Sequence, residues 1–296
     1  MSDVARTKKL RTRKHAVVLN RSRGGDFAIN LMLLFLGLLM ALPMYYTIIQ
    51  AFKPLNELFL YPPKFYVISP TFDNFTDMFT LLSSSWVPFS RYIFNTIFIS
   101  VVGTIGNLVL TSLAAYSLSK MQYPGRNFFF QIIVKSLMIS STVTGIVNFL
   151  IIVKAGLMDT YWAIIIPQWA SSLNLYLMKQ FMESNVTDAV LESARLDGAS
   201  ELRTFWSIAM PMVKPAWLTV IIYAFVGLWN TGSSILIQSE ELKTMKWAID
   251  QSLTGGVSRT GIVAASTVLM MLVPIAVFVV SQSKIIETMG SSGMKD

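Results

Sequence analysis

Apolar residues gather in long runs along this chain, and charged residues fall mostly in the gaps between them. Six runs stand out, at 27–51, 92–119, 127–153, 161–181, 215–237 and 261–285. Each matches the roughly 20 residues a helix needs to cross a hydrocarbon layer. The pattern predicts an all-α, polytopic membrane protein with six transmembrane helices. Pro43, Pro167 and Pro274 lie inside runs, which membrane helices tolerate because neighbours satisfy the freed backbone groups. Gly103, Gly106, Ser112, Ala114, Ala115 and Ser117 place small side chains along the second run. Such residues let neighbouring helices approach closely.

Two hydrophilic segments are longer than a connection requires. Residues 52–91 carry Pro54, Pro62, Pro63, Pro70 and Pro88 and read as irregular surface structure. Residues 182–214 have no proline before Pro211 and read as a helical hairpin. The predicted division is a basic tail at 1–26, a transmembrane domain at 27–285 that includes the hairpin, and a short tail at 286–296.

Composition sharpens the picture. Charged residues make up 14% of the chain and apolar ones 53%, against about 25% charged in a typical soluble domain. The net charge of +8 would suit a nucleic-acid partner, but its placement does not. Arg6, Lys8, Lys9, Arg11, Arg13, Lys14, Arg21 and Arg23 crowd the first 25 residues. This is the arrangement of a topology signal held against anionic membrane lipid. The run behind it is too long for the apolar region of a cleaved signal peptide, and no A-x-A site follows. With the N-terminus inside, inner segments hold sixteen Lys/Arg and outer ones seven, Lys135 lying within the third run. That bias, which rests mainly on the first tail, puts both termini in the cytoplasm.

There is no cysteine, which excludes disulfides and thiolate chemistry. The single histidine, His15, lies in the basic tail, and no H-E-x-x-H occurs, so a membrane-embedded enzyme finds little support. The chain also lacks G-x-x-x-x-G-K-[ST] and should not itself hydrolyse ATP.

The hairpin carries the specific signal. A first helix is expected over 188–196 with Thr187 as N-cap, ended by Gly198 in a left-handed conformation. Ser200 would cap a second helix. Leu202, Phe205, Trp206 and Ala209 would form its apolar face, and Pro211 would stop it. Glu192, Asp197 and Glu201 offset Arg195 and Arg203. This mixed charge suits a protein partner better than a lipid interface.

Glu192-x-Ala194-x-x-Asp197-Gly198-Ala199, followed by Phe205, Ile208 and Pro211, resembles the EAA signature of bacterial ABC importer permeases. The Asp-Gly, Phe and Pro spacing is similar to that of the carbohydrate-uptake subfamily. Ser193 stands where alanine is usual, and Met210 where leucine is common. The segments at 70–75 and 156–160, with Trp229-Asn230, agree more weakly, and the likeness covers the whole chain in outline. Residues 229–246 depart from maltose-type permeases, which leaves the sugar open.

The resemblance implies a type I ABC importer fold in a bacterial inner membrane. It implies four kinds of partner: a second homologous permease, a dimer of cytoplasmic ATPase subunits, an extracytoplasmic solute-binding protein and a sugar substrate. ATP and magnesium would bind the ATPase, leaving this chain without a cofactor. The hairpin would be the coupling element. Glu192 would orient it through charge-assisted bonds, Asp197 and Gly198 would shape its turn, and Phe205 would anchor in the ATPase, with Ala194, Ala199, Ile208 and Pro211 completing the motif.

Asn107, Lys135 and Gln168 add further polar groups within or near the runs. Lys135 is expected to snorkel to the interface. For the substrate path, Asn148, Asn174 and Asn230 suit sugar hydroxyls, and Trp169 and Trp229 suit stacking on a pyranose face. The same groups also serve as bonds between helices. Two other transporter readings stay open: an ABC permease for a non-carbohydrate solute, and a stand-alone secondary transporter. Inverted repeats and broken helices would favour the latter, and neither is evident in the sequence.

Overall fold

The computed structural model describes residues 23–83, 87–232, 235–253 and 256–292. The basic cluster before Arg23 and the last four residues lie outside them. The chain divides into two compact units, 1–46 and 47–296. The first is described by the opening turns of α1 (Arg23–Phe52). That helix is apolar on all sides and, at 1.5 Å per residue, about 45 Å long.

In the second unit α1 ends at Phe52 and a single turn follows at Leu55–Leu58. The segment expected to be irregular then forms a helix, α2 (Asp73–Ser83). Asn74 explains its position. The Asn74 amide donates to the carbonyls of Ala51, at 2.9 Å, and Lys53, at 2.7 Å. It thereby occupies acceptors that the end of α1 leaves free.

The central element is α3 (Phe89–Lys120). Many of its buried positions are small or hydroxylated, among them Ser100, Gly103, Thr104, Thr111, Ser112 and Ala115. This composition allows close approach rather than filling space. A Cβ on Gly103 would run into Leu228, and one on Gly106 into the indole of Trp169.

The third apolar run is two helices, α4 (Arg126–Ser136) and α5 (Ser141–Lys154), meeting at 113°. Ser140 starts α5 by accepting a hydrogen bond from the Thr142 amide, and Ser136 bonds the Ser172 hydroxyl at 2.7 Å. The fourth run is also broken, into α6 (Trp162–Trp169) and α7 (Ser172–Asn185). Ser171 caps α7 by accepting from the Asn174 amide. At both breaks a serine hydroxyl takes up a backbone donor at the start of the following helix. Broken helices, not evident in the sequence, are therefore present.

After α7 come α8 (Asp188–Leu196), α9 (Glu201–Met212) and α10 (Lys214–Trp229). The fifth run ends at Trp229, eight residues short of the expected Ile237. Thr231 ties the turn that follows: its hydroxyl bonds Gly227, and its carbonyl receives the Thr244 hydroxyl at 2.6 Å. A short helix, α11 (Met245–Leu253), then leads to α12 (Thr260–Ser292).

Among the described residues, three helical stretches are long and apolar enough to cross a membrane: Gly24–Phe52, Phe89–Lys120 and Thr260–Gln282. Two bent pairs reach that length together, α4 with α5 and α9 with α10.

Candidate functional site

The hairpin forms as expected in its first half. α8 covers the anticipated residues, and Gly198 takes φ +78°. Ser200 caps α9 by accepting from the Arg203 amide. Thr187 holds the N-cap position as expected, with extended backbone and no side-chain cap bond.

The second half differs. Phe205–Ala209 forms a π-helical turn, in which the Met210 amide reaches back to the Phe205 carbonyl. Pro211 does not stop the helix, which continues to Met212. Proline lacks an N–H and crowds the carbonyl four residues back, and the π-helical turn directly precedes it. The break comes at Val213, where α10 turns away at 85° with Pro215 in its first turn.

The extra residue in that turn redistributes the apolar face. Phe205 and Ala209 are buried, whereas Leu202 is 66% and Trp206 48% exposed. Phe205 packs inside this chain, with ring centres 5.4 Å from Tyr116 and 4.9 Å from Trp206. It shares a core with Met178, Met182, Leu191 and Val213. The expectation that Phe205 anchors in a partner is therefore corrected: it holds the hairpin to its own membrane helices. Ala194 is buried, and Ala199 and Ile208 are half-buried.

The outward surface carries Glu192, Leu196, Asp197, Gly198, Leu202, Arg203 and Trp206, with Leu196 89% exposed. Leu196, Leu202 and Trp206 are the residues that helical periodicity missed or misplaced. Leu196 ends α8, Leu202 lies in the α-helical start of α9, and Trp206 lies in the π-helical turn.

Two contacts fix the hairpin to α3, and a third braces the hairpin internally. The Arg195 guanidinium donates to one Glu201 oxygen at 2.8 Å, and the Tyr116 hydroxyl donates to the other at 3.1 Å. Lys120 pairs with Asp188 at 2.9 Å. Arg195 holds the Glu201 carboxyl below its ordinary value, and Lys120 does the same for Asp188.

The candidate path residues scatter. A cavity of about 740 Å³ lies among α5, α6 and the end of α10. Asn148, Gln168, Thr142 and Thr231 supply its polar lining, Ile146, Phe149, Ile164 and Leu228 much of the rest, and no described lining residue is charged. Asn148 is exposed there. Asn174 is not: it is 2% exposed and donates to Asn107 at 2.8 Å, while Asn107 donates to the Gln168 carbonyl at 2.6 Å. This pair satisfies backbone freed at the α6–α7 break. Trp229 is also buried, its indole donating to the Met270 carbonyl at 2.9 Å. Trp169 is wedged against Gly106, its Nε1 without a partner among the described residues. Asn230 bonds Val226 and lines a second hollow with Lys246 and Asp250. Of the five, Asn148 alone borders the large cavity. Lys135 is exposed near the end of α4.

No family model matches the chain. Curated relatives do. Protein LplC of Bacillus subtilis is 33% identical over 222 residues, 73% of this chain and 70% of that protein. The polygalacturonan/rhamnogalacturonan transport system permease protein YtcP of the same organism is 30% identical over 229 residues, 77% of each. A bacterial ABC transporter involved in the import of the acidic polysaccharide alginate has a chain of the same fold. Its TM-score is 0.74 at 24% identity, covering 89% of this chain and 98% of that one. The relatives are transport subunits rather than enzymes. With its helical, multi-pass membrane architecture, the chain belongs to the permease subunits of sugar-importing ABC transporters.

Proposed function

We propose that this chain forms half of the translocation path for an oligosaccharide in a bacterial inner membrane, with six spans and both termini cytoplasmic. A second homologous permease completes the path, and an extracytoplasmic binding protein delivers the solute. A cytoplasmic ATPase dimer, holding ATP and magnesium, docks on the hairpin through Leu196, Leu202 and Trp206, with Glu192, Asp197 and Arg203 as flanking charges.

The carrying observation is the exposure of these three apolar residues on an element whose other face is locked into the chain's own core. An apolar cluster ringed by polar groups marks a protein-contact surface. Glu192 has no intrachain partner among the described residues and is free to orient the docked ATPase. Asp197 and Gly198 form the turn that presents Leu196. On the path side, Asn148, Gln168 and Thr231 offer hydrogen bonds to sugar hydroxyls. The saccharides named for the relatives support that class.

The test is reconstitution with the cognate permease, ATPase and binding protein in nanodiscs, comparing wild type with Leu202→Asp and Trp206→Asp. The proposal expects saccharide-stimulated ATP hydrolysis in the wild type and loss of both stimulation and ATPase retention in the variants. Retained stimulation in both variants would move the docking surface elsewhere.

A further inference from the structure

Glu201 lies outside the signature residues, yet its carboxylate sits where three elements meet. It is the first residue of α9, and one oxygen holds Arg195 in the last turn of α8. The other holds Tyr116, which is 3% exposed on the inner part of α3. The Tyr116 ring also packs edge-on against Phe205. One side chain thus ties both legs of the hairpin to the same membrane helix. Toward its outer end that helix meets Leu228 at Gly103 and Trp169 at Gly106, and Leu228 lines the large cavity. A displacement of the hairpin therefore has a continuous, close-packed route to the path.

A bland alternative is that Glu201 only favours the start of α9 through the helix dipole. It does not account for the two separate donors. Nor is the link a large source of stability: Arg195 and Glu201 side chains are 42% and 45% exposed, and exposed pairs contribute only about 0–1 kcal/mol. The link suits geometry rather than folding, so variants should insert and assemble.

We propose that Glu201 is a positioning residue that locks both legs of the hairpin to α3 through Arg195 and Tyr116, so that ATPase motion is delivered to the transport path. This rests on the hairpin being the ATPase-docking element. Glu201→Gln keeps the side-chain shape but removes the charge that holds Arg195, and Tyr116→Phe removes only the hydroxyl. Both changes act on one link, so the double variant should be no worse than the more affected single.

The experiment uses the full complex in proteoliposomes and measures ATP hydrolysed per sugar imported, with retention of the ATPase subunit measured alongside. Glu201→Gln and Tyr116→Phe should retain the ATPase, while ATP used per sugar rises by about five-fold, the lower range of coupling between linked sites. The double variant should match the more affected single. A wild-type ratio in Tyr116→Phe, or additive effects in the double variant, would overturn the proposal even if Glu201→Gln failed to assemble. Leu202→Asp separates the two levels. If it sheds the ATPase while Glu201→Gln keeps a wild-type ratio, docking at the hairpin stands and the Glu201 role falls. If Leu202→Asp and Trp206→Asp both keep the ATPase bound and stimulated, the docking assignment and the Glu201 role fall together.

Discussion

Phe205 and Leu202 are three residues apart on one helix, and they do different work. Phe205 is 1% exposed and fills a pocket between the hairpin and the membrane helices. Truncating a buried phenylalanine costs about 3–5 kcal/mol. Phe205→Ala should therefore lower the thermal midpoint of the purified protein in detergent. Leu202→Asp, on an exposed position, should shift stability by no more than about 0.5 kcal/mol and release the ATPase instead. Asp159 makes a different kind of prediction. At φ +59° its carboxylate accepts from the Gln238 and Ser239 amides at 3.0 and 2.8 Å and from the Ser239 hydroxyl. The Ser239 bonds hold its pKa below the ordinary carboxylate value. A depressed folded value means that the stabilisation is complete above the ordinary carboxylate range and is lost as pH falls through the lowered value. Amide exchange at Ser239, corrected for intrinsic pH dependence, should stay slow down to about pH 4 and accelerate below it. Asp159→Asn should give fast exchange already at pH 7.

Helix contacts decide the next scale. α3 is built for close approach, and of its two glycines Gly106 is the tighter, because Trp169 lies where a side chain would begin. A rigid indole cannot swing aside like the end of a lysine, so Gly106→Ala should overpack the contact at a cost of about 1–3 kcal/mol. On α5, a Cβ at Gly145 meets nothing within contact range. There Gly145→Ala should stabilise by up to about 1 kcal/mol, because the unfolded chain loses freedom and the helix gains a better former. Thermal melts of the two variants, side by side, test both signs. The small residues along the second run were legible in sequence. Which of them faced a tryptophan was not, since that depends on where the fourth run breaks and how α6 returns to α3.

For the whole molecule, the polar groups divide into those that hold helices together and those that face open space. Asn174 and Trp229 bond inward to Asn107 and Met270, whereas Asn148 lines the 740 Å³ cavity. Asn148→Ala should raise the saccharide concentration needed for half-maximal uptake by up to about ten-fold, the equivalent of one hydrogen bond, with an unchanged melting temperature. Asn174→Ala should do the reverse, because it leaves the Asn107 carbonyl oxygen buried and unpaired at a cost of about 1–3 kcal/mol. An amide in an apolar run carries no mark of which way it points, so the sequence grouped the two asparagines together.

The sequence by itself determined the class of molecule and the location of its hairpin. Long apolar runs admit only helices in lipid, and Gly198 and Ser200 set the turn of the hairpin through local backbone rules that need no neighbour. The family followed from the spacing between Glu192 and Pro211. The tertiary structure alone decided where runs break and which face of each helix is buried. Serine caps start the helices that follow the breaks in the third and fourth runs, and packing against α3 and α7 buries Phe205 while Leu202 and Trp206 stay exposed. Glu201 stayed invisible for the same reason: its partners, Arg195 and Tyr116, come from two other elements. Only folding brings a helix end, a hairpin leg and a membrane helix within the reach of one carboxylate.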